Sequence, residues 1–414
     1  MNWNRVIDLE IKNFYRYKRK WNVESETVIK PGLESMLAAL EKLHNPQNKH
    51  QVIHVAGTNG KGSTIAFMKE IAKEHGYTYG VFTSPCLVDV HDQIQINGNN
   101  VTEEQMDRAF QKIQAAGLSG KLTEFELLTV VAFLVFEEQT LDVIFVEAGM
   151  GGRFDSTNVF QQSIGVVPSI SIDHTNFLGD TIEKITWHKA GILKNKGKLI
   201  IGDLPVESKN VIYNEVKEKN ANIIELKKDI IIKDNSFFYK DYKFTNLYPC
   251  MIGIHQLSNM ALAIVALLEA GLELEEQKVR KAVGNASLLG RMERVNERVY
   301  MDGAHNQASV EALVDTIKRE FPKQKIHFIV GILKDKEYIP MLRKLEEVGD
   351  SFEFVKFTQE RALSPEFLYE ACSSIKKSIT YDMQKVNLEN TNENSITIVT
   401  GSLYLISEIR KINR

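Results

Sequence analysis

Short apolar runs alternate along this chain with longer stretches whose apolar residues recur at helical spacing. The run Val52 to Val55 has the length of a buried strand, and after a polar, glycine-rich break the positions Ile65, Phe67, Met68, Ile71 and Ala72 fall on one helical face. Tyr79 to Thr83, Val143 to Glu147, Ile164 to Val167 and Lys198 to Ile201 predict further strands, with helices over Glu124 to Glu138 and Ile182 to Ile192. Strands alternating with helices predict a mostly parallel sheet covered on both faces. Asn222 to Leu226, Ile230 to Lys233 and Phe237 to Phe244 read as short strands around an Asp234-Asn235-Ser236 turn, a small antiparallel excursion over 222–244. A helix over Leu257 to Ala270 follows, ended by Gly271. A second alternation begins near residue 291, with strands at Val299 to Asp302, Ile326 to Val330, Phe352 to Phe357 and Ile396 to Thr400. Residues 1–50 read as helical in parts, with Pro31-Gly32 as a break before Leu33 to Leu43. With Ser287 to Gly290 as a hinge, the pattern predicts two α/β domains, 1–289 and 290–414.

Composition narrows the class without naming it. Apolar (43%) and charged (25%) content are those of a soluble globular chain, and a net charge of −3 gives no general attraction to nucleic acid or anionic membrane. One stretch is locally basic: Lys12, Arg16, Lys18, Arg19 and Lys20, interleaved with Phe14, Tyr15, Tyr17 and Trp21, reads as a solvated helix face and loop rather than a nucleic-acid patch. Cys86, Cys250 and Cys372 are odd in number and far apart, which suits a reducing cytosol. Leu127 to Phe136 and Met260 to Leu268 are too short to span a bilayer, and no signal-like apolar segment opens the chain. The expectation is a cytoplasmic protein.

The break after Val55 carries the chemistry. Gly57-Thr58-Asn59-Gly60-Lys61-Gly62-Ser63-Thr64 lies between a strand and a helix, the layout that surrounds a phosphate with backbone N–H groups and a helix N-terminus. Lys61 would supply a charge to the phosphates, and Ser63 or Thr64 a hydroxyl near Mg²⁺. The usual phosphate-loop pattern has no glycine between the lysine and the hydroxyl residue, so Gly62 is a departure from it. Four further polar stretches end predicted strands, where open α/β sheets bind ligands. They are Thr83-Ser84-Pro85-Cys86, Glu147 to Asp155, Ser171-Ile172-Asp173-His174 and Asp302 to Asn306. Ser84 and Glu147 are the hard oxygen donors Mg²⁺ prefers, while His174 is a softer one. Taken singly, Glu147 reads equally well as a cap or ion-pair partner, His174 as a satisfied core histidine, and Lys189 as a solvated helix lysine.

Together these motifs resemble the folylpolyglutamate synthase family, including the bifunctional dihydrofolate synthase/folylpolyglutamate synthases, within the Mur ligase superfamily. The resemblance rests on Ile29-Lys30-Pro31-Gly32-Leu33-Glu34, HVAGTNGKGST, FTSP, the TEFE from Thr123, EAGMGGRFDSTNV, Asp173-His174 with Leu178-Gly179, HKAGI, GIHQLSN, GRMERV, DGAHN and TGSLYLISEIR, in order along nearly the whole chain. The loop with Gly62 is this family's own form. The resemblance implies a P-loop-containing N-terminal domain of central Mur ligase type and a smaller Rossmann-like C-terminal α/β domain. It implies ATP-dependent addition of L-glutamate to folates, and to dihydropteroate as well, through an acyl phosphate, by a cytoplasmic monomer with small-molecule substrates and neither nucleic acid nor membrane as partner.

Residue by residue, the resemblance implies that Gly57, Thr58, Asn59, Gly60, Lys61, Gly62, Ser63 and Thr64 bind the phosphates of ATP. Asn259, Arg291 and Asp302 match ATP-contacting positions, and His305 would help position substrate. Ser84, Glu147 and His174 match magnesium ligands. Lys189 matches a lysine carbamylated in the family, an anion able to hold a second Mg²⁺. Thr123, Phe125, Arg153 and Asp155 lie in stretches associated with the pterin-bearing substrate. Cys86, His188 and Gln307 stand where the family has His, Glu and Pro, and the segment 10–28 is longer than usual. Cys86 and that segment bear on substrate preference. A folylpolyglutamate synthase without dihydropteroate activity, a Mur-type ligase acting on a cell-wall nucleotide peptide and a non-catalytic paralogue remain as alternatives. A GTPase does not, because no N-K-x-D motif occurs.

Overall fold

In a computed structural model of the chain, the described residues are 13–26, 32–86, 88–386, 388 and 394–412. Lys12 and the Ile29-Lys30-Pro31 part of the first motif lie outside them. The chain divides into two compact units, residues 1–248 with 258–286, and residues 249–257 with 287–414.

The first unit is built on an eight-stranded sheet: β1 (Val52–Val55), β2 (Tyr79–Phe82), β3 (Ile94–Ile96), β4 (Asn99–Asn100), β5 (Val143–Glu147), β6 (Ile164–Val167), β7 (Lys198–Ile201) and β8 (Asn222–Glu225), in the order β4-β3-β2-β5-β1-β6-β7-β8. β2, β5, β1, β6, β7 and β8 run parallel, and β3 and β4 are added antiparallel at one edge. Every residue of β1, β2, β5 and β6 is buried, as expected of parallel strands covered on both faces.

The helices follow from the same periodicity. They are α1 (Phe14–Lys20), α2 (Glu34–Lys42), α3 (Lys61–His75), α4 (Glu103–Ala115), α5 (Glu124–Glu137), α6 (Thr175–Leu178), α7 (Ile182–Ala190), α8 (Val206–Glu218), α9 (His255–Glu269) and α10 (Glu276–Asn285). α1, α2, α4 and α5 send Phe14, Met36, Phe110 and Phe133 into one core with Val52, Phe82, Ile144 and Val146 of the sheet. α7 and α8 send Ile185 and Ile212 into a second core against Val167, Leu199 and Ile201.

The 222–244 stretch differs from the expected excursion. Asn222–Glu225 is a parallel edge strand of the large sheet, paired to β7. Only β9 (Ile230–Lys233), β10 (Ser236–Tyr239) and β11 (Tyr242–Phe244) form the small antiparallel sheet. The apolar pair Ile223-Ile224 does not encode which neighbour it meets, and the single run 237–244 is split where Lys240 takes a left-handed turn.

The second unit has a six-stranded sheet of β12 (Glu293–Arg294), β13 (Val299–Asp302), β14 (Lys325–Val330), β15 (Ser351–Val355), β16 (Lys377–Thr380) and β17 (Ser395–Thr400), in the order β12-β13-β17-β14-β15-β16. All its pairs are parallel except β12 with β13. α11 (Gln307–Glu320) and α12 (Tyr338–Glu346) bring Leu313, Val314 and Leu342 against Phe328 and Phe352.

Candidate active site

β1 is the central strand, and the loop leaving its carboxyl end turns directly into α3 at Lys61. Gly60 caps the helix at φ 86°, a left-handed conformation that favours glycine, and a Cβ there would lie 2.6 Å from Asn259 Oδ1. The loop is braced from β6's extension. Ser169 O accepts from Thr58 N–H (2.9 Å), Ser169 Oγ accepts from Asn59 N–H and donates to Asn59 O (both 2.9 Å), and Thr58 Oγ1 bonds Ser171 at both its N–H (3.0 Å) and its carbonyl (3.1 Å).

Two lysines from separate helices converge on one carbonyl of this loop. Lys61 Nζ donates to Gly57 O at 3.1 Å, and the buried Lys189, from α7, donates to the same oxygen at 2.9 Å. Glu147, the last residue of β5, brings Oε1 to 3.8 Å from Lys61 Nζ. Lys61, in the first turn of α3, adds its charge to a helix N-terminus that already favours an anion. Thr64, by contrast, turns its hydroxyl back onto Gly60 O at 2.8 Å.

Ser84 follows β2, Glu147 ends β5 and His174 lies in the turn after β6, so the three proposed metal donors follow strands on the carboxyl edge of one sheet. His174 is in the left-handed region and its N–H bonds Asp173 Oδ1 at 2.8 Å. Among the described residues, no three His, Cys, Asp or Glu side chains gather into a metal cage. One hydroxyl, one carboxylate and one imidazole fit Mg²⁺, which keeps waters and takes phosphate oxygens for the rest of its octahedron.

The four residues expected at the pterin end are anchored in different ways. Thr123 caps α5 in a capping box with Glu126. Phe125 stacks on Phe82 at 6.0 Å, and a Cβ on Gly149 would lie 2.7 Å from its ring. Arg153 is held to α7 and α8: it pairs with Glu215, donates to Trp187 O at 3.2 Å and lies 4.1 Å over the Trp187 ring. Asp155 is buried and accepts from Met150 N–H (2.7 Å), Thr157 N–H (3.0 Å) and Thr157 Oγ1 (2.5 Å). Burial pushes its carboxyl up, against the pull of these bonds. Its bonds hold the Glu147-to-Asp155 loop to itself. His188 lies against Trp187 and Phe154, with its pKa lowered by burial and by Arg153 and Lys189.

In the second unit, Asp302 ends β13 and accepts from Met292 N–H (2.8 Å) and Ala304 N–H (3.0 Å). Burial pushes its carboxyl up while Arg291 pulls it down. Arg291 Nη1 donates to Gly290 O at 3.2 Å, and His305 Nδ1 lies 2.7 Å from Gly303 O. Gln307 opens α11 and donates to Glu311 at 3.0 Å.

Comparison with known proteins bears on this arrangement. The Mur ligase middle domain matches residues 55–267 and the dihydrofolate synthetase C-terminal domain residues 288–412. Over 408 residues the chain is 36% identical to the dihydrofolate synthase/folylpolyglutamate synthase of Bacillus subtilis, covering 92% of this chain and 95% of that one. The chain belongs to this family. Among solved structures, E. coli FolC in complex with DHPP and ADP superposes with a TM-score of 0.88 at 28% identity, covering 96% of this chain and 97% of that one. The bifunctional Yersinia pestis enzyme complexed with AMPPNP and Mn ion gives 0.85 at 27%, covering 92% and 93%. Both neighbours carry an adenine nucleotide, ADP in one and AMPPNP in the other.

Sequence reasoning missed three contributors that the fold brings to this family's loops. Ser169 grips the main chain of Asn59 from 110 positions away. His54, inside β1, bonds Thr157 Oγ1 at 2.8 Å and so ties β1 to the Asp155 loop. Tyr17 reaches His91 at 2.6 Å, beyond the Ser84 loop. For Ser169 and His54 a hydroxyl or imidazole in an apolar run was the one local signal, and it does not name a partner.

Proposed function

We propose that this enzyme adds L-glutamate to a folate carboxylate, and to that of dihydropteroate, at the expense of ATP. The observation that carries the reading is the convergence of Lys61 and Lys189 on Gly57 O beside Glu147, in a chain of this family. A carboxylate oxygen of the acceptor attacks the terminal phosphorus of ATP, and ADP leaves. The glutamate amino nitrogen then attacks the acyl carbon of the acyl phosphate, and inorganic phosphate departs as the amide forms.

Residues 57–64 with Lys61 hold the phosphates and oppose the charge that builds on their oxygens during transfer. Ser84, Glu147 and His174 would hold Mg²⁺, which neutralises phosphate charge when bound. Lys189, once carbamylated, would hold a second Mg²⁺. Asn259, Arg291 and Asp302 contact ATP, His305 positions substrate, and Thr123, Phe125, Arg153 and Asp155 line the pterin end. Residues 1–289 form the ATP-binding domain and 290–414 the C-terminal domain. The enzyme works as a monomer in the cytoplasm. Among the described residues no helix is long and apolar enough to cross a membrane, and Cys86, Cys250 and Cys372 form no disulfide with one another.

The test supplies MgATP and L-glutamate with dihydropteroate in one reaction and tetrahydrofolate in another, reading phosphate release and product mass. One added glutamate on each acceptor, lost in Lys61→Ala, is expected. Addition to tetrahydrofolate alone would reduce the reading to a folylpolyglutamate synthase. Addition to neither would overturn it.

A further inference from the structure

The basic, aromatic run near the N-terminus has no part in the chemistry above, yet its contacts lead to the rim of the site. α1 buries Phe14 and Tyr17 against Phe110 and leaves Tyr15, Arg16 and Arg19 to solvent. Its polar atoms engage two loops. Tyr17 Oη lies 2.6 Å from His91 Nε2, His91 Nδ1 bonds Asp89, and Asn13 bonds the other oxygen of Asp89. A carboxylate at Asp89 accepts, so His91 Nδ1 carries a proton, and in the neutral imidazole Nε2 is then the acceptor and Tyr17 the donor. Burial works against the Asp89 charge, but the bonds from His91 and Asn13 hold its carboxyl below the usual range. This relay fixes Asp89 and His91, downstream of Ser84.

The next residue of the helix reaches α5. Lys18 Nζ pairs with Glu124 at 3.0 Å, one residue past Thr123, and also donates to Ser25 at 3.1 Å. The chain after α1 then runs beside the approach to Thr123. Glu24 N–H meets Ser119 Oγ (2.9 Å), Gly120 N–H meets Glu24 O (2.8 Å) and Glu26 N–H meets Leu122 O (2.6 Å).

Sheet order says what lies between these loops. The phosphate loop leaves β1, Glu147 ends the neighbouring β5, and β2 with its Ser84 segment comes next, with α5's Phe125 stacked on Phe82 and against Gly149. The acceptor carboxylate must meet the terminal phosphate, so the rest of that substrate extends along this edge. We propose that α1 is a clasp that sets the spacing of the 88–92 and 123–126 segments and thereby selects the acceptor substrate, with Tyr17 and Lys18 as positioning residues. The inference rests on the glutamate-ligase reading.

The experiment compares Tyr17→Phe, which removes one hydroxyl and keeps the packing, Lys18→Met, and Lys20→Ala as a control on the same helix whose ammonium goes to Asp107 of α4 at 2.5 Å. The KM for each acceptor, for ATP and for L-glutamate is measured with kcat and melting temperature. Loss of one positioning hydrogen bond should raise acceptor KM about fivefold. That rise should differ between dihydropteroate and tetrahydrofolate, with ATP and glutamate KM values and the Lys20→Ala enzyme near wild type. Acceptor KM unchanged in both variants, or rising in step with that for ATP, would overturn the clasp while the ligase reading stands. A wild-type protein that ligates glutamate to neither acceptor would overturn both.

Discussion

At the scale of single residues, His54 states most directly what the site's foundation requires. It sits in the central strand, fully buried, and Thr157 Oγ1 has one proton, which it gives to Asp155 at 2.5 Å. Thr157 must therefore accept from His54 Nε2–H at 2.8 Å, and among the described residues His54 Nδ1 meets no hydrogen-bond partner. Burial, with Lys194 adding to it, pushes the imidazole down to about 3 from 6.5. Between those values the unfolded chain binds a proton that the folded chain refuses. The stability contributed by neutral His54 is complete above pH 6.5 and lost as pH falls toward 3, at about 1.4 kcal/mol per pH unit. Asp155, whose carboxyl is raised, has the opposite sign, favouring the folded state at low pH and losing that as pH rises through its folded value. His54→Gln keeps a donor near Nε2 and cannot be protonated, and Asp155 is common to both proteins. Urea midpoints from pH 7.5 to 5 should therefore fall more steeply for wild type than for His54→Gln. Parallel curves would refute the assignment.

At the scale of elements, the loop after β5 and the helix that carries Lys189 are one packed piece. A Cβ on the buried Gly152 would lie 2.8 Å from Lys189 O and 2.9 Å from His188 O, and Arg153 N–H already bonds His188 O at 2.6 Å. Backbone oxygens cannot swing aside as a side-chain tip can. Gly152→Ala should therefore cost about 1–3 kcal/mol of stability and move Lys189 off Gly57 O, lowering kcat about tenfold or more. Gly284 in α10 is the contrast: the nearest atom to its Cβ position is Tyr248 O at 4.0 Å, and its φ is not left-handed. Gly284→Ala should stabilise by about 0.5–1 kcal/mol with activity unchanged. Chemical denaturation with assays on both variants checks the pair. The same scale explains what the sequence made legible. β1, β5, β6 and β7 have their predicted bounds because buried parallel strands are unbroken apolar runs. β16, reading Lys-Ser-Ile-Thr at a sheet edge, was missed, since an edge strand needs few apolar residues. The glycine loop was readable because its chemistry is local. The brace from Ser169 was not, because it is distant in sequence and ordinary where it stands, while Lys189 and Asn259 were picked out only by the family resemblance.

At the scale of the whole molecule, two units with separate cores need not unfold as one. The phosphate loop, Lys189, Glu147 and Asn259 all belong to the first unit. A nucleotide held by them binds that unit folded and not unfolded, so it must raise the first unit's melting transition by mass action. At about a hundredfold excess over Kd the gain is about 2.7 kcal/mol. Scanning calorimetry with and without MgADP should show this rise in the wild type. Lys61→Ala removes a charge from the phosphates but only a partly exposed side chain from the fold, so it should melt near the wild-type temperature without nucleotide and gain little with it. A Lys61→Ala protein that is stabilised as much as wild type would take the lysine out of the phosphate site. One that melts far below wild type without nucleotide would instead assign Lys61 to holding Gly57 O, the role it has in the structure.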